Sequence, residues 1–169
     1  YNTSLTLRNT VFRDITNVPK GSGYNDYANL IPTGKAVYVQ GGAVDIKGGV
    51  ISSDPPVVFD NCHTGVHTMY ASANIRETTM AGVTNGILSN GGAVADIEWN
   101  NITASDRGIS TAFLSGIGAN LTVKNNTVTM KGNANGIGIG AGGSDLFPQN
   151  EGIVQDNSVT VEEGATGIG

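Results

Sequence analysis

The chain has 169 residues and a formal net charge of -5, with 25 glycines, 38% hydrophobic, 6% aromatic and 14% charged residues. So much glycine, at a cost of about 1 kcal/mol per helical position, excludes an ordinary helical globule rich in Leu, Glu and Lys. Val, Ile and Thr spread along the whole length exclude disorder, and the weak acidity excludes a basic surface that neutralises nucleic-acid phosphates.

The length is that of one domain with one sizeable core, taken here as a single segment over 1–169. No uninterrupted apolar run is long enough to span a bilayer, so no membrane span is expected. Cys62 stands alone, which rules out a disulfide within the chain and leaves a small buried hydrophobe. No Cys/His spacing matches a metal site, and no cofactor is expected. The chain opens on Tyr1 without a leader and stops on Gly167-Ile168-Gly169 in mid-repeat without a polar cap, so a longer parent chain is expected.

An eight-place pattern organises the chain, seen best at Leu121-Thr-Val-Lys-Asn-Asn-Thr-Val128. In chain order it first stands, weakly, at Leu5 to Phe12. An inserted loop over 17–35 follows, then Gly-Gly-Ala-Val at 41–44 and a weak copy at Pro56 to His63. Ala73 to Met80 is another weak copy, and Ala95-Asp-Ile-Glu-Trp-Asn-Asn-Ile102 a strong one, with a second Gly-Gly-Ala-Val at 91–94. A second inserted loop is expected over 141–151, before Gly152-Ile-Val-Gln-Asp-Asn-Ser-Val159. The last places 63, 80, 102, 128 and 159 are 17, 22, 26 and 31 residues apart, and the 51 residues from 12 to 63 leave room for two more turns. A polar stretch and then Gly-Ile follow the later copies, at 86–87, 108–109, 136–137 and 167–168.

Each unit therefore predicts a period-2 strand, an Asn-containing turn, a second short strand, a Gly-led turn and a third strand. Such a unit cannot bury its apolar face alone, but stacked units can. Stacking in register turns place six into a column of Asn61, Asn100, Asn126 and Asn157, interrupted by Thr78. Two explanations of the column stand side by side. Stacked amides can hydrogen-bond along it, or Asn is there because it tolerates a left-handed turn.

The N-N-x-[VI]-T pattern followed by Gly-Ile resembles the repeat of the pectate-lyase-like superfamily, best over 73–169 and less well over 56–72. The resemblance implies an all-β, right-handed parallel β-helix (β-solenoid) of about seven coils. The Gly-Gly-Ala-Val copies are similar to repeats of outer-membrane β-helix adhesins. The chain departs from the enzymes of the superfamily: neither the paired aspartates and basic motif of polygalacturonase-like members nor the carboxylate sets of calcium-dependent lyases are present.

Outward places two and four carry the best chemical constellation. They put Asp96 and Glu98 on one unit, with Arg76 on the unit below and Lys124 on the unit above. A carboxylate pair beside a cation suits acid–base cleavage of a polysaccharide, yet alternating charges also simply avoid like-charge stacking, which is the favoured reading. Asp106-Arg107 is expected as a turn ion pair, and His63 and His67 as hydrogen-bonding or surface residues. Tyr24, Asp26 and Tyr27 in the first loop, and Asp145 and Phe147 in the second, are the candidate sugar-binding residues. The function expected is a non-catalytic rod at the cell surface or outside the cell, structural, adhesive or filamentous. Its partners would be a polysaccharide or glycan and, through unit ends, other copies, with no nucleic acid. The alternative is a carbohydrate-active lyase, hydrolase or phage-type spike.

Overall fold

The structure is a computed structural model that describes residues 4–16, 34–49, 56–92, 94–113, 120–131, 135–141, 151–162 and 166–168. All regular elements among them are strands, and the strand pairs among them are parallel. One sheet takes β1 (Ser4–Leu7), β4 (Ala43–Lys47), β7 (Ser72–Arg76), β9 (Val94–Glu98), β11 (Asn120–Lys124) and β14 (Glu151–Gln155), in that order. The chain then turns into a second row formed by β2 (Val11–Arg13), β5 (Val57–Asp60), the first part of β8 (Thr78–Asn90), the first part of β10 (Asn101–Phe113), β12 (Thr127–Met130) and β15 (Ser158–Val161). A third row joins β3 (Lys35–Gln40), β6 (Thr64–Met69), the later parts of β8 and β10, β13 (Asn135–Ala141) and β16 (Thr166–Ile168).

Alternation sends every second side chain inward, and the register stacks like on like. Ile46, Ile75, Ile97 and Val123 form one fully buried column in the first sheet. Phe59, Met80, Ile102 and Val128 form a second, capped by Phe12, whose ring stacks on Phe59 with centroids 5.0 Å apart. Val37, Val66, Ile87, Ile109 and Ile137 supply the third. Three aliphatic columns thus meet in one core, which no single unit could enclose.

The Gly-Ile repeat follows from this packing. Gly86, Gly108 and Gly136 each stand just before an inward Ile, where the second column of the next level comes against the third row. A Cβ on Gly108 would lie 2.4 Å from Val128 Cγ1 and 2.5 Å from the Gly136 carbonyl oxygen; on Gly136 it would lie 2.5 Å from Val159 Cγ1 and from the Gly167 carbonyl. The requirement is space, not backbone freedom.

The first turn separates the two explanations of the Asn column. The left-handed residue is at place five, one position earlier: Asn9, Glu77, Trp99, Asn125 and Asp156 all have φ between 47° and 59°. Asn100, Asn126 and Asn157 have no positive φ, so turn tolerance does not place them there. Their amides form a ladder instead. Asn126 Oδ1 accepts from Asn100 N and Asn100 Nδ2, both at 3.0 Å, while Asn126 Nδ2 donates to Ile97 O and Asn157 Oδ1, both at 2.9 Å. Asn100 repeats the arrangement, accepting from Thr78 N and Thr78 Oγ1 and donating to Ile75 O. All four hydrogen-bonding sites of both buried amides are used.

Register corrects several expectations. Val57 and Phe59 pair with Thr78 and Met80 in the second row, so 56–63 is not a first-sheet copy. The first-sheet copy at that level is Ala43–Lys47, one of six strands of this sheet among the described residues. Asn61 consequently leaves the Asn column. It lies in the second turn with φ 52°, level with Asp14 and Gly82, and donates to Asp14 Oδ1 at 2.7 Å. Val57 and Thr10 take the place-six positions of the lower levels. Lys35 belongs to β3 rather than to the inserted loop. Asp106 and Arg107 lie inside β10 at a register shift, not in a turn, and no salt bridge joins them among the described residues.

The Gly column generates a direct test. Gly108→Ala should destabilise the fold by about 1–3 kcal/mol through overpacking, whereas Gly138→Ala, with nothing among the described residues within 4 Å of its Cβ position, should melt close to the parent. Thermal unfolding of the two variants checks the difference.

Candidate functional site

The outward face of the first sheet carries charge in a diagonal pattern. Arg8 pairs with Asp45 one level up and also donates to the Asp45 backbone carbonyl at 3.0 Å, while Asn74 Nδ2 donates to Asp45 Oδ1 from the other side at 2.8 Å. Two levels on, the same offset recurs. Arg76 Nη2 lies 3.3 Å from Asp96 Oδ2, and Arg76 Nη1 lies 3.8 Å from Glu98 Oε2. Register accounts for the repetition, because Asn74 is opposite Asp96 and Arg76 opposite Glu98 in the paired strands.

The structure thus brings Arg76, Asp96 and Glu98 together. Lys124 is opposite Glu98 on the next strand but makes no salt bridge with either carboxylate. One guanidinium straddles both carboxylates on an open sheet face, with side-chain exposures of 35% for Asp96 and 19% for Glu98. Acid–base cleavage asks for one protonated and one ionised carboxyl across a bound substrate. Here one guanidinium contacts both carboxylates, and the three side chains form an ion-pair cluster. Asp45, which repeats the motif below, was missed because the copy at 43–47 carries Gly48 and Gly49 where the pattern has its turn residues.

A second cluster, on the outward face of the third row, joins residues far apart in sequence. Tyr38 and His67 are register partners, and their rings meet edge to face with centroids 5.4 Å apart. Lys35 Nζ stands 4.8 Å above the Tyr38 ring, and Asn90 Nδ2 lies 3.2 Å from His67 Nε2. His67 Nδ1 is buried with no hydrogen-bond partner among the described residues. Burial, with the Lys35 charge adding to it, pushes His67 down to about 4. Burial also lowers Lys35 and His63, although Asp106 opposes the shift at His63. His63 Nδ1 contacts Thr64 Oγ1 at 3.1 Å, so both histidines are held by neutral groups of their own surroundings. The only sequence signal for this cluster would have been the alignment of 35–38 with 64–67, and neither stretch matches the eight-place template.

Cys62 is buried, and burial raises its thiol. Among the described residues, no three His, Cys, Asp or Glu side chains are placed to hold a metal ion, and no helix is long and apolar enough to cross a membrane. Tyr24, Asp26, Tyr27, Asp145 and Phe147 lie outside the described residues. Comparison with protein-family models, with curated proteins and with solved structures finds no match to this chain.

Both clusters make measurable predictions. Exposed ion pairs contribute about 0–1 kcal/mol, so Asp96→Ala with Glu98→Ala should shift the melting temperature little. His67 gives a pH dependence of definite sign. Unfolded His67 titrates near 6.5 and folded His67 near 4, so the unfolded chain binds more protons between these values. Stability should be flat above about pH 6.5 and fall toward pH 4, and His67→Gln should remove part of the fall between pH 6.5 and 5. Melting temperatures of parent and variant across that range test it.

Proposed function

We propose that the chain is a single segment of a right-handed parallel β-helix, of the kind the pectate-lyase-like resemblance implies, and that it serves as a non-catalytic rod at the cell surface or outside the cell. The observation that carries this reading is the in-register stack itself, in which apolar side chains lie above one another and a buried amide ladder runs between levels. A stack of this kind is stiff, because bending it breaks buried hydrogen bonds rather than exposed ones. The right-handed sense is supported by the strong preference of parallel crossover connections for that hand. The non-catalytic reading is supported by the charged face, where Asp96 and Glu98 share Arg76.

Incubation of the intact protein with a panel of acidic and neutral polysaccharides should produce no new reducing or unsaturated ends. Labelling of intact producing cells with a membrane-impermeant reagent should modify the protein. Cleavage that disappears in the Asp96→Ala, Glu98→Ala variant with folding intact would establish the carbohydrate-active alternative instead.

A further inference from the structure

The place-five turn makes the same demand at successive levels, and Glu77 and Trp99 answer it at a disadvantage. Asn9, Asn125 and Asp156 adopt the left-handed conformation with short polar side chains that tolerate it. Trp99 adopts it with φ 59°, where a bulky aromatic is strained. Its residue is 59% exposed, so the indole gains little from the core in return. No hydrogen bond or ring contact of the Trp99 side chain occurs among the described residues. Strain and exposed apolar surface therefore fall on one side chain, without a compensating contact in the fold.

The surroundings of the indole are polar. Asn101, two residues on, and Thr127, its register partner, are both exposed. Asn125 is the place-five residue of the next level, directly beyond the Trp99 N–H bond to the Lys124 carbonyl at 3.1 Å. Glu98 is engaged by Arg76, and Glu77, the place-five residue of the level below, has its Oε2 buried rather than presented beside the ring. A protein partner would be anchored by a wider desolvated apolar patch than one ring within an amide and hydroxyl rim. A pyranose matches this surface, since its C–H face is apolar and its edge carries hydroxyls.

We propose that Trp99 is the platform of a glycan-binding site, on which a sugar ring stacks while Asn101, Asn125 and Thr127 meet its hydroxyls. The site deepens the reading of the chain as an adhesive rod and rests on it only for access to glycans outside the cell. Trp99 is the single tryptophan of the chain, so its fluorescence reports on the site directly.

The test titrates the intact protein with cellohexaose, laminarihexaose and chitohexaose, and separately with tetramethylammonium chloride. At least one hexasaccharide should give a saturable change in emission, and tetramethylammonium none. By calorimetry, Trp99→Asn should weaken binding of that hexasaccharide by about tenfold or more, while raising the melting temperature by about 2–4 °C as the strain is relieved. No response to any hexasaccharide, a response to tetramethylammonium alone, or a Trp99→Asn variant that melts below the parent would overturn the proposal. Each of those results leaves the rod standing, because the rod rests on the stacking of the levels and is lost only if the stack is.

Discussion

A buried carboxamide has two donors and two acceptor sites and no water to satisfy them, and in this protein those of Asn100 and Asn126 are completed by the levels above and below. Asn100 and Asn126 are 2% and 1% exposed, and neither would be satisfied if its level slipped by one residue along the strand. A slip would also turn every side chain of the strand to the opposite face. Hydrogen bonding and hydrophobic burial therefore select the same register. Burial supplies the larger free energy, but aliphatic columns of Ile and Val are interchangeable in a way that directional amide bonds are not.

Other features inherit that register. The Gly column is needed because levels in register bring the second and third rows into contact at the same point each time. The diagonal of Arg8 to Asp45 and Arg76 to Asp96 repeats because places two and four repeat, and opposite charges on adjacent strands are the stable way to fill them. Tyr38 and His67 share a cluster for the same reason, though 29 positions separate them in the chain. Surface chemistry in such an architecture is written down columns. A single level shows almost none of it.

Much of this was legible in the residues themselves. Where the eight-place pattern is strong, its alignment is the strand register: 95–98 lies against 121–124, and 121–124 against 152–155. The Arg76, Asp96 and Glu98 grouping followed from that alignment alone. Reading failed where composition imitated the pattern. Pro56 to His63 runs apolar and then places Asn61 at the sixth place, yet Phe59 is the second-column partner of Met80, and Asn61 is a left-handed turn residue bonded to Asp14. The real copy at 43–47 was hidden because glycine replaces the Asn turn after it. The position of the left-handed residue was also beyond reach, since Asn at places five and six looks alike in sequence while one bends the chain and the other bonds across it.

The ladder is most directly tested by a double-mutant cycle on Asn100 and Asn126, with stabilities of Asn100→Ala, Asn126→Ala and the double variant measured by denaturant unfolding. Each single change strands buried partners and should cost about 1–3 kcal/mol for each group left unsatisfied. Because the two amides bond one another, the double variant should cost less than the sum of the singles by about 1–3 kcal/mol. Costs that add to within about 0.5 kcal/mol, or single variants as stable as the parent, would contradict the claim that a continuous amide ladder holds the levels in register.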